Sequence, residues 1–566
     1  MAKNRSLCIA VIVIVSFAIS VGVARADALG ESHAFSIDAG YDSRGRTQLN
    51  ATLRAISERA QFYVADDYWN GLSAAGQGSL LTLIGDVGRE FDQRIYPMET
   101  QFFGAEPNPG IDQDPRITIL LADLRSNVGG YFDSAHEYPR SQVSYSNERE
   151  MLYLNVSQFF NADRVYSFIA HEFQHLISFH QKEELQRVGD DTWLNEMRSE
   201  YAVSLLGYNH TYSGSNLERR IGAFLQAPSD SLTEWPNLYS DYGIVNALAE
   251  YIASTYSPQV LADTLTSSSR GIESINDALG ANGFHETFDD VFAGWMAANI
   301  VNNPGLGSRF AYPLPLQTVL RVPPTQVING VADDASISVT MSLKDWEQHW
   351  YDVYDLEPGT KSVLKVSAQS SGGLANLRMP YLAFFKDGTA KLQMASFASG
   401  ILYIPDIGSN IIRVILMPYQ RAKLTNFGTM EPSTTYSLTI GRASAEEISV
   451  TPERYGLHEG DFIRAEGDKD VFIINQFGYK RIVLSPKICL LYGHLGARGC
   501  FNAIHEVPPA VRDAFQTSPY YTNGETNNGN VYQLIETGED SAYLQLTDHP
   551  LDHSVFLMNT REQRSY

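Results

Sequence analysis

The sequence HEFQH, at residues 171–175, lies inside a stretch with the apolar periodicity of an α-helix. The stretch covers residues 163 to about 184, and its periodic apolar residues are Val165, Phe168, Ile169, Phe173, Leu176, Ile177 and Phe179. Residues four apart on a helix share one face, so His171 and His175 can direct their imidazoles at one metal ion. Glu172 projects about 100° round the helix, which excludes it as a third ligand but lets it reach a water on the metal. The motif therefore predicts a helix that carries a zinc site.

The third ligand is predicted on a second helix. In the extended motif HExxHxxGxxH a third His follows on the same segment, but here Ser178 and Gln181 occupy the Gly and His positions. The segment WLNEMRSEYAVSLL follows the capping residue Asp191 and is predicted to be helical. Its Glu196 can supply a carboxylate ligand, and Glu200, one turn later, can accept the spare N–H of a ligand imidazole. A solvated carboxylate at the helix start is the competing interpretation of Glu196.

These two segments resemble those of the gluzincin metallopeptidases, whose NExxSD sequence is matched here by NExxSE. More narrowly, the stretch from GGYFD through SNEREMLYLNV to WLNEMRSEYA resembles the hyicolysin family of bacterial neutral metallopeptidases, over about residues 110–300. The resemblance implies an α+β fold: a two-lobed zincin catalytic domain, with a β-sheet lobe and then a helical lobe, followed by C-terminal all-β modules. It implies one catalytic Zn²⁺. The matching positions are the ligands His171, His175 and Glu196, the general base Glu172, and Glu200 as the partner of a ligand imidazole.

At two positions near these residues the sequence matches the family less closely. Relatives carry a small residue such as Gly after the ligand Glu, whereas this chain has Met197 and Arg198, and we expect Arg198 to adjust substrate preference. The tetrahedral oxyanion needs a hydrogen-bond donor besides the metal. In relatives a Tyr in a segment similar to LYSDYGIVNALAEYI supplies it, which favours Tyr242 as a catalytic residue over Tyr239 and His285. An ordinary packed or surface role is the competing interpretation of all three.

The resemblance implies a zinc-dependent metalloendopeptidase, a hydrolase acting on protein or peptide substrates. The alternative is a cell-surface binding or adhesion protein with a vestigial protease-like domain, but the intact set of base and ligands argues against inactivity. An aminopeptidase of the same clan is a third possibility. The chain has no GAMEN-like exopeptidase segment, so endopeptidase activity is preferred.

The N-terminus has the features of a secretory signal peptide, residues 1–26. Basic residues precede an apolar run from Leu7 to Val23, and Ala24-Arg25-Ala26 offers small residues where signal peptidase needs them. A membrane anchor is the alternative, because the run approaches the length that spans a bilayer. No later stretch is apolar enough to span a membrane, so we expect a secreted or periplasmic protein without a membrane span.

The net charge restricts the classes of partner, and the cysteines allow one disulfide. Loss of the three basic residues of the signal peptide, with no acidic one, takes the net charge from −23 to −26. This acidity argues against nucleic acid as a partner. Cys489 and Cys500 are the thiols left after cleavage, and in an oxidising compartment they can form one local disulfide.

The length of 566 residues predicts two to four domains. We assign residues 27–301 to the metallopeptidase domain and the Pro- and Gly-rich residues 302–326 to a linker. Short alternating strands predict a β-sandwich over 327–443, similar in pattern to pre-peptidase C-terminal modules, and a small β-rich module over 446–566. Binding of a cell-surface ligand, anchoring and stabilisation all remain open for these two modules.

Two local expectations concern the β-sheet lobe. The strand Met151 to Val156 precedes the HEFQH helix, and as an edge strand it could pair with an extended substrate. Asp112 and Asp114 alternate in a loop in the way that suits a Ca²⁺ site, although an Asp-capped turn is the commoner explanation.

Overall fold

The computed structural model describes residues 27–159, 162–395, 400–444, 450–495, 498–526, 529–538 and 541–566. The predicted signal peptide lies outside these residues. The chain divides into two compact units. The first comprises Met1–Asp190, Arg198–Thr211 and Ala262–Ser268, and the second comprises Asp191–Met197, Tyr212–Leu261 and Ser269–Tyr566.

The first unit is built on a six-stranded sheet. Its strands in chain order are β1 (Ser32–Ser36), β2 (Gln48–Ile56), β3 (Ala60–Ala65), β4 (Ile117–Ala122), β5 (Gly130–Phe132) and β6 (Met151–Asn155). Their order in the sheet is β1-β2-β3-β4-β6-β5. Strands β3, β4 and β6 run parallel, and all of their residues are buried, as expected for apolar strands covered on both faces.

The edge of this sheet differs from the prediction. Strand β6 lies between β4 and β5, so the expectation that residues 151–156 form an edge strand is wrong. The edge strand on this side of the sheet is β5, which pairs antiparallel with β6 through Gly130↔Leu154 to Phe132↔Leu152. A three-residue strand that begins with Gly carries almost no β signal, which is why the sequence pattern missed it.

Helices contact this sheet, and further helices follow through the middle of the chain. They are α1 (Asp66–Gly71), α2 (Ala74–Glu90), α3 (Tyr96–Phe103), α4 (Ala162–Ser178), α5 (Thr192–Leu205), α6 (Asn216–Gln226), α7 (Tyr239–Thr255), α8 (Pro258–Asp263), α9 (Ile272–Ala281), α10 (Phe288–Val301) and α11 (Leu316–Val319). Of these helices, α1, α2 and α4 contact the sheet. Both predicted site helices form: α4 continues as a π-helical segment, Phe179–Leu185, and α5 begins directly after Asp191.

Helix α4 is held in place by apolar packing on one side and by the sheet on the other. Phe173 stacks on Tyr96 at 5.5 Å between ring centroids and meets Phe91 edge-on at 5.1 Å. The opposite side of α4 packs against β5 and β6. The helix therefore carries the HEFQH motif between the α2–α3 segment and the edge of the sheet.

The second unit continues into two sheets that share one apolar core. Their strands, together with a short ribbon of β11 and β16, are β7 (Gln326–Asn329), β8 (Ser336–Leu343), β9 (Tyr351–Tyr354), β10 (Val363–Ser370), β11 (Leu377–Arg378), β12 (Tyr381–Phe385), β13 (Ala390–Gln393), β14 (Ile401–Ile404), β15 (Ile411–Leu416), β16 (Tyr419–Gln420) and β17 (Thr434–Ala443). The sheet orders are β14-β10-β17-β8 and β13-β12-β15-β9-β7. Trp350 joins this part to α10 by donating its indole N–H to the Met296 carbonyl at 2.9 Å.

In the described residues of the last part of the chain, two further sheets and three short helices form. Its elements are β18 (Phe462–Ala465), β19 (Val471–Ile474), β20 (Tyr479–Ile482), α12 (Pro486–Leu490), β21 (Ile504–Val507), α13 (Pro509–Ala514), β22 (Gln516–Thr517), β23 (Tyr520–Asn523), β24 (Val531–Gly538), β25 (Ser541–Thr547), β26 (Phe556–Met558) and α14 (Thr560–Gln563). The sheet orders are β21-β18-β19-β20-β22 and β25-β24-β23-β26. Cys489 and Cys500 are joined by the local disulfide that the sequence allows.

The fold is thus a mixed α+β fold with several sheets. Among the described residues, none of the helices combines the length and the apolar character needed to cross a bilayer.

Candidate metal centre

Helix α4 brings the imidazoles of His171 and His175 together. Their Nε2 atoms lie 3.2 Å apart, and the two rings meet nearly at right angles. Two imidazole nitrogens bound to one tetrahedral zinc at about 2.0–2.1 Å would themselves be about 3.3 Å apart. His171 is only 7% exposed, and His175 is half-buried. The pair therefore has the spacing and the partial burial that a shared metal ion requires.

The other nitrogen of each ring is engaged by α5. Glu200 Oε1 lies 3.0 Å from His171 Nδ1. Ser199 donates its hydroxyl proton to Gln174 Oε1 at 2.6 Å, and its Oγ lies 3.1 Å from His175 Nδ1. Because that proton is already donated to Gln174, His175 Nδ1 is the donor in the second contact. A proton on His175 Nδ1 leaves the lone pair of that ring on Nε2, which faces His171, and the carboxylate beside His171 Nδ1 favours the same tautomer of the second ring.

Glu196 completes the predicted ligand set. It lies one turn before Glu200 on α5, and residues four apart share a helix face. His171, His175 and Glu196 each offer a ligand atom, and these atoms all lie within 4.8 Å of one another. Two imidazoles and one carboxylate are the donor set of a catalytic rather than a structural zinc site, because the fourth position is left for water.

Glu172 lies under the edge strand of the sheet. It is buried, and a Cβ atom on Gly130 of β5 would lie 3.0 Å from Glu172 Cγ and 2.7 Å from the Tyr153 carbonyl oxygen. A Cβ on Gly129 would meet the Phe168 ring of α4 at 2.4 Å. Because these two glycines lack side chains, this segment lies closer to α4 than it could with any other residue type at the two positions. It passes directly beside Glu172.

Arg198 does not take part in this centre, contrary to the expectation that it adjusts substrate preference. Its side chain is fully buried, with Nη2 at 2.9 Å from Asp190 Oδ2 and Nη1 donating to Thr264 Oγ1 at 3.1 Å. Burial lowers the pKa of the guanidinium, and the Asp190 carboxylate opposes that shift. Arg198 thus anchors α5 inside the first unit through a buried ion pair.

Glu99 is a buried group that the sequence did not single out. It lies in the first turn of α3 and is fully buried. Burial raises the pKa of its carboxyl well above the usual value, while the charge of His171 acts in the opposite direction. Burial therefore favours the neutral form of a carboxylic acid close to the metal ligands.

The candidates for the oxyanion donor lie in the second unit. Tyr242 donates its hydroxyl to Asn237 Oδ1 at 2.8 Å, and its ring meets Trp235 edge-on at 5.1 Å. Tyr239 is 48% exposed, and His285 is exposed as well. Of the three, Tyr242 is thus the one whose ring is fixed by packing and whose hydroxyl is oriented by a hydrogen bond.

Comparison with known proteins shows a similarity to a bacterial metalloprotease. The chain is 27% identical over 227 residues to the neutral metalloprotease ShpI of Staphylococcus hyicus, an alignment that covers 36% of this chain and 47% of ShpI. The chain thus spans about half the length of the relative it matches. No family model matches the chain.

Two solved structures that match parts of the chain have low TM-scores. A mitogen from Yersinia pseudotuberculosis matches with a TM-score of 0.15 and 10% identity, covering 19% of this chain and 85% of the mitogen. The periplasmic lysozyme inhibitor PliG of Salmonella Typhimurium matches with a TM-score of 0.14 and 16% identity, covering 21% of this chain and 99% of PliG. Scores this low carry no argument about fold or function. The likeness to ShpI supports a metalloprotease relationship for this chain.

Proposed function

We propose that this chain is a secreted zinc metalloendopeptidase that hydrolyses peptide bonds in protein or peptide substrates. The observation that carries the proposal is the pair of imidazoles on α4, with Nε2 atoms 3.2 Å apart and both Nδ1 atoms engaged by residues of α5. Glu196 is the proposed third ligand. The relationship to a neutral metalloprotease supports the same activity.

The proposed chemistry assigns one task to each group. Zinc, when bound, acts as a Lewis acid and lowers the pKa of water towards about 7. Glu172 accepts a proton as water attacks the peptide carbonyl and delivers it to the departing amine. Glu200 and Ser199 hold the two imidazoles in the tautomer that a metal needs. Tyr242 is the proposed donor to the tetrahedral oxyanion, for which its hydroxyl would exchange Asn237 for the substrate.

Strand β5 is the proposed binding strand for substrate. An extended peptide can add to the edge of a sheet through main-chain hydrogen bonds, which makes binding tolerant of sequence. Because Gly130 carries no side chain, the edge strand passes directly beside Glu172. A peptide paired with β5 would therefore present its carbonyl groups close to the proposed general base.

The proposed domain organisation follows from this function. Residues 27–301 would form the zincin catalytic domain, with the sheet of β1 to β6 as its β-sheet lobe. A linker at 302–326 would precede the β-sandwich at 327–443 and the small β-rich module at 446–566. We further propose that export follows removal of residues 1–26, and that the two C-terminal modules carry any cell-surface ligand.

Removal of the metal should abolish activity reversibly. We expect the purified chain to hydrolyse casein, to lose this activity with 1,10-phenanthroline, and to regain it with one equivalent of Zn²⁺. The nitrogen chelator selects zinc over hard ions such as Ca²⁺, so the loss would report the imidazole site. Zinc content by elemental analysis should follow the activity. A zinc-loaded chain that cleaves neither casein nor a set of quenched fluorescent peptides would disprove the proposal.

Glu200→Gln should weaken zinc binding without removing a ligand. Gln keeps the shape of the side chain but loses the negative charge that lies 3.0 Å from His171 Nδ1. Changes of this kind typically cost 10–100-fold in metal affinity, and we expect a loss of about that size. Competition with a chromogenic zinc chelator measures it. Glu273→Gln, at an exposed position of α9, is the matched control and should bind zinc like the wild type.

A further inference from the structure

Four polar residues lie on the face of α4 that contacts α5. They are spaced three or four apart, as residues on one helix face are: His171, Gln174, His175 and Ser178. The two imidazoles are assigned to the metal centre, whereas the proposed activity gives Gln174 and Ser178 no task. Both of these side chains are buried. Because burying an amide or a hydroxyl costs free energy unless its groups are hydrogen-bonded, their partners show what they do.

The amide of Gln174 links Ser178 of α4 to Ser199 of α5. Its Nε2 donates to Ser178 Oγ at 2.8 Å, and its Oε1 accepts the hydroxyl proton of Ser199 at 2.6 Å. Ser178 Oγ also accepts from Arg198 Nε at 3.4 Å. Ser199 is fully buried, and its Oγ lies 3.1 Å from His175 Nδ1. A continuous row of hydrogen bonds thus runs from the buried guanidinium to a proposed metal ligand.

The direction of this row depends on Gln174. An amide oxygen can only accept, so it takes the single hydroxyl proton of Ser199. The Oγ of Ser199 then has only lone pairs to offer, and its hydrogen bond to His175 requires a proton on Nδ1 of the ring. The lone pair of that imidazole therefore lies on Nε2, the atom that is 3.2 Å from Nε2 of His171.

Without the amide oxygen, Ser199 could act in either direction. Its hydroxyl could donate to His175 Nδ1, and the ring would then carry its proton on Nε2, where it blocks metal binding. The apparent affinity for a metal falls in proportion to the fraction of rings in the competent tautomer. The other ring has a different partner, because Glu200 lies beside His171 Nδ1 and an ionised carboxylate can only accept.

We propose that Gln174 is a positioning residue that sets the tautomer of His175 through Ser199. It takes up the hydroxyl proton of Ser199 and so prepares the imidazole before zinc binds. The HExxH motif leaves its two inner positions open, so the motif alone does not predict this role. The inference rests on the proposed zinc site and adds to it the residue that prepares the second imidazole.

The zinc affinity of two apolar variants tests this role. Gln174→Met and Ser199→Ala are made in the Glu172→Gln parent, in which self-digestion cannot interfere, and affinity is measured by competition with a chromogenic zinc chelator. We expect Gln174→Met to weaken zinc binding by about 3–10-fold, because the fraction of competent rings falls. Ser199→Ala removes the partner of the ring itself and should weaken binding by about 10–100-fold.

The double variant separates a role through Ser199 from an independent one. If Gln174 acts through the hydroxyl alone, Gln174→Met should change zinc affinity by less than about twofold in the Ser199→Ala background. Gln61→Met is the matched control, because Gln61 on β3 is also a buried amide and donates to Asp114 at 2.7 Å. It should lower the melting temperature and leave zinc affinity unchanged.

A spectroscopic measurement tests the contact between Ser199 and His175 in the parent protein as well. With Co²⁺ in place of zinc, the N–H proton of each ligand imidazole gives a separate, strongly shifted NMR signal. We expect both signals to exchange slowly with D₂O in the parent, because both Nδ1 atoms have buried partners. One signal should exchange faster in Ser199→Ala but not in Gln174→Met, since the bound metal then fixes the tautomer.

Failure of this inference differs from failure of the proposed function. Unchanged zinc affinity in Gln174→Met would overturn the role of Gln174 and leave the zinc site intact. The same conclusion would follow if Gln174→Met cost as much affinity with Ala at position 199 as with Ser199, or if one imidazole N–H of the parent exchanged at the rate of an exposed group. A parent and a wild type that bind no zinc would overturn the proposed function, and this inference with it.

Discussion

Glu172→Gln is expected to slow peptide hydrolysis by about 10²–10⁴-fold while leaving one zinc per chain. Gln cannot take up the proton of an attacking water, but it has the same shape as Glu and can keep the packing of this side chain beside Gly130. The metal ligands lie on the helix face that Glu172 does not share, so they keep their positions. Initial rates on a quenched fluorescent peptide and zinc by elemental analysis measure the two effects separately.

The control for this variant is Glu184→Gln. Glu184 lies on the π-helical segment after α4, where it contacts His180 at 2.7 Å, and it is not part of the metal centre. It should retain wild-type rates and zinc content. If Glu172→Gln retained more than a tenth of the wild-type rate with zinc bound, Glu172 would not be the general base.

The sequence predicts the parts of the centre that depend on helical spacing. His171, Glu172 and His175 lie within one helical turn of each other, and Glu196 and Glu200 repeat the same spacing on α5, so periodicity alone predicts which side chains share a face. Strongly periodic segments of this length are also the elements that a single sequence defines best, and both helices form where predicted.

The remaining features depend on contacts between segments that are distant in the chain. Arg198 could be predicted to lie near the metal, but its ion pair with Asp190 depends on how α5 packs after the intervening turn. The engagement of His175 by Ser199 depends on the same packing. Strand β5 was not predicted from the sequence because it is only three residues long. Since β5 pairs with β6, the edge of the sheet lies at β5 and not at β6 as predicted. Periodicity within one segment carries no information on such pairings.

His175→Ala is expected to reduce zinc affinity by more than about 100-fold and activity to the background level. Changing a residue that merely orients a ligand costs 10–100-fold, so losing the ligand itself should cost more. The variant also leaves Ser199 without its imidazole partner, which loosens the contact between α4 and α5. Zinc competition and casein hydrolysis measure the two losses.

His180→Ala is the matched control, because His180 lies five residues further along, contacts Glu184, and should affect neither property. The variants Glu172→Gln and His175→Ala together distinguish a general base from a metal ligand, because a loss of activity alone is expected for both. A base can be lost with zinc retained, whereas a ligand cannot be lost without loss of zinc. If His175→Ala kept full zinc affinity while losing activity, His175 would act on the substrate rather than on the metal, and the arrangement of facing Nε2 atoms would need another explanation.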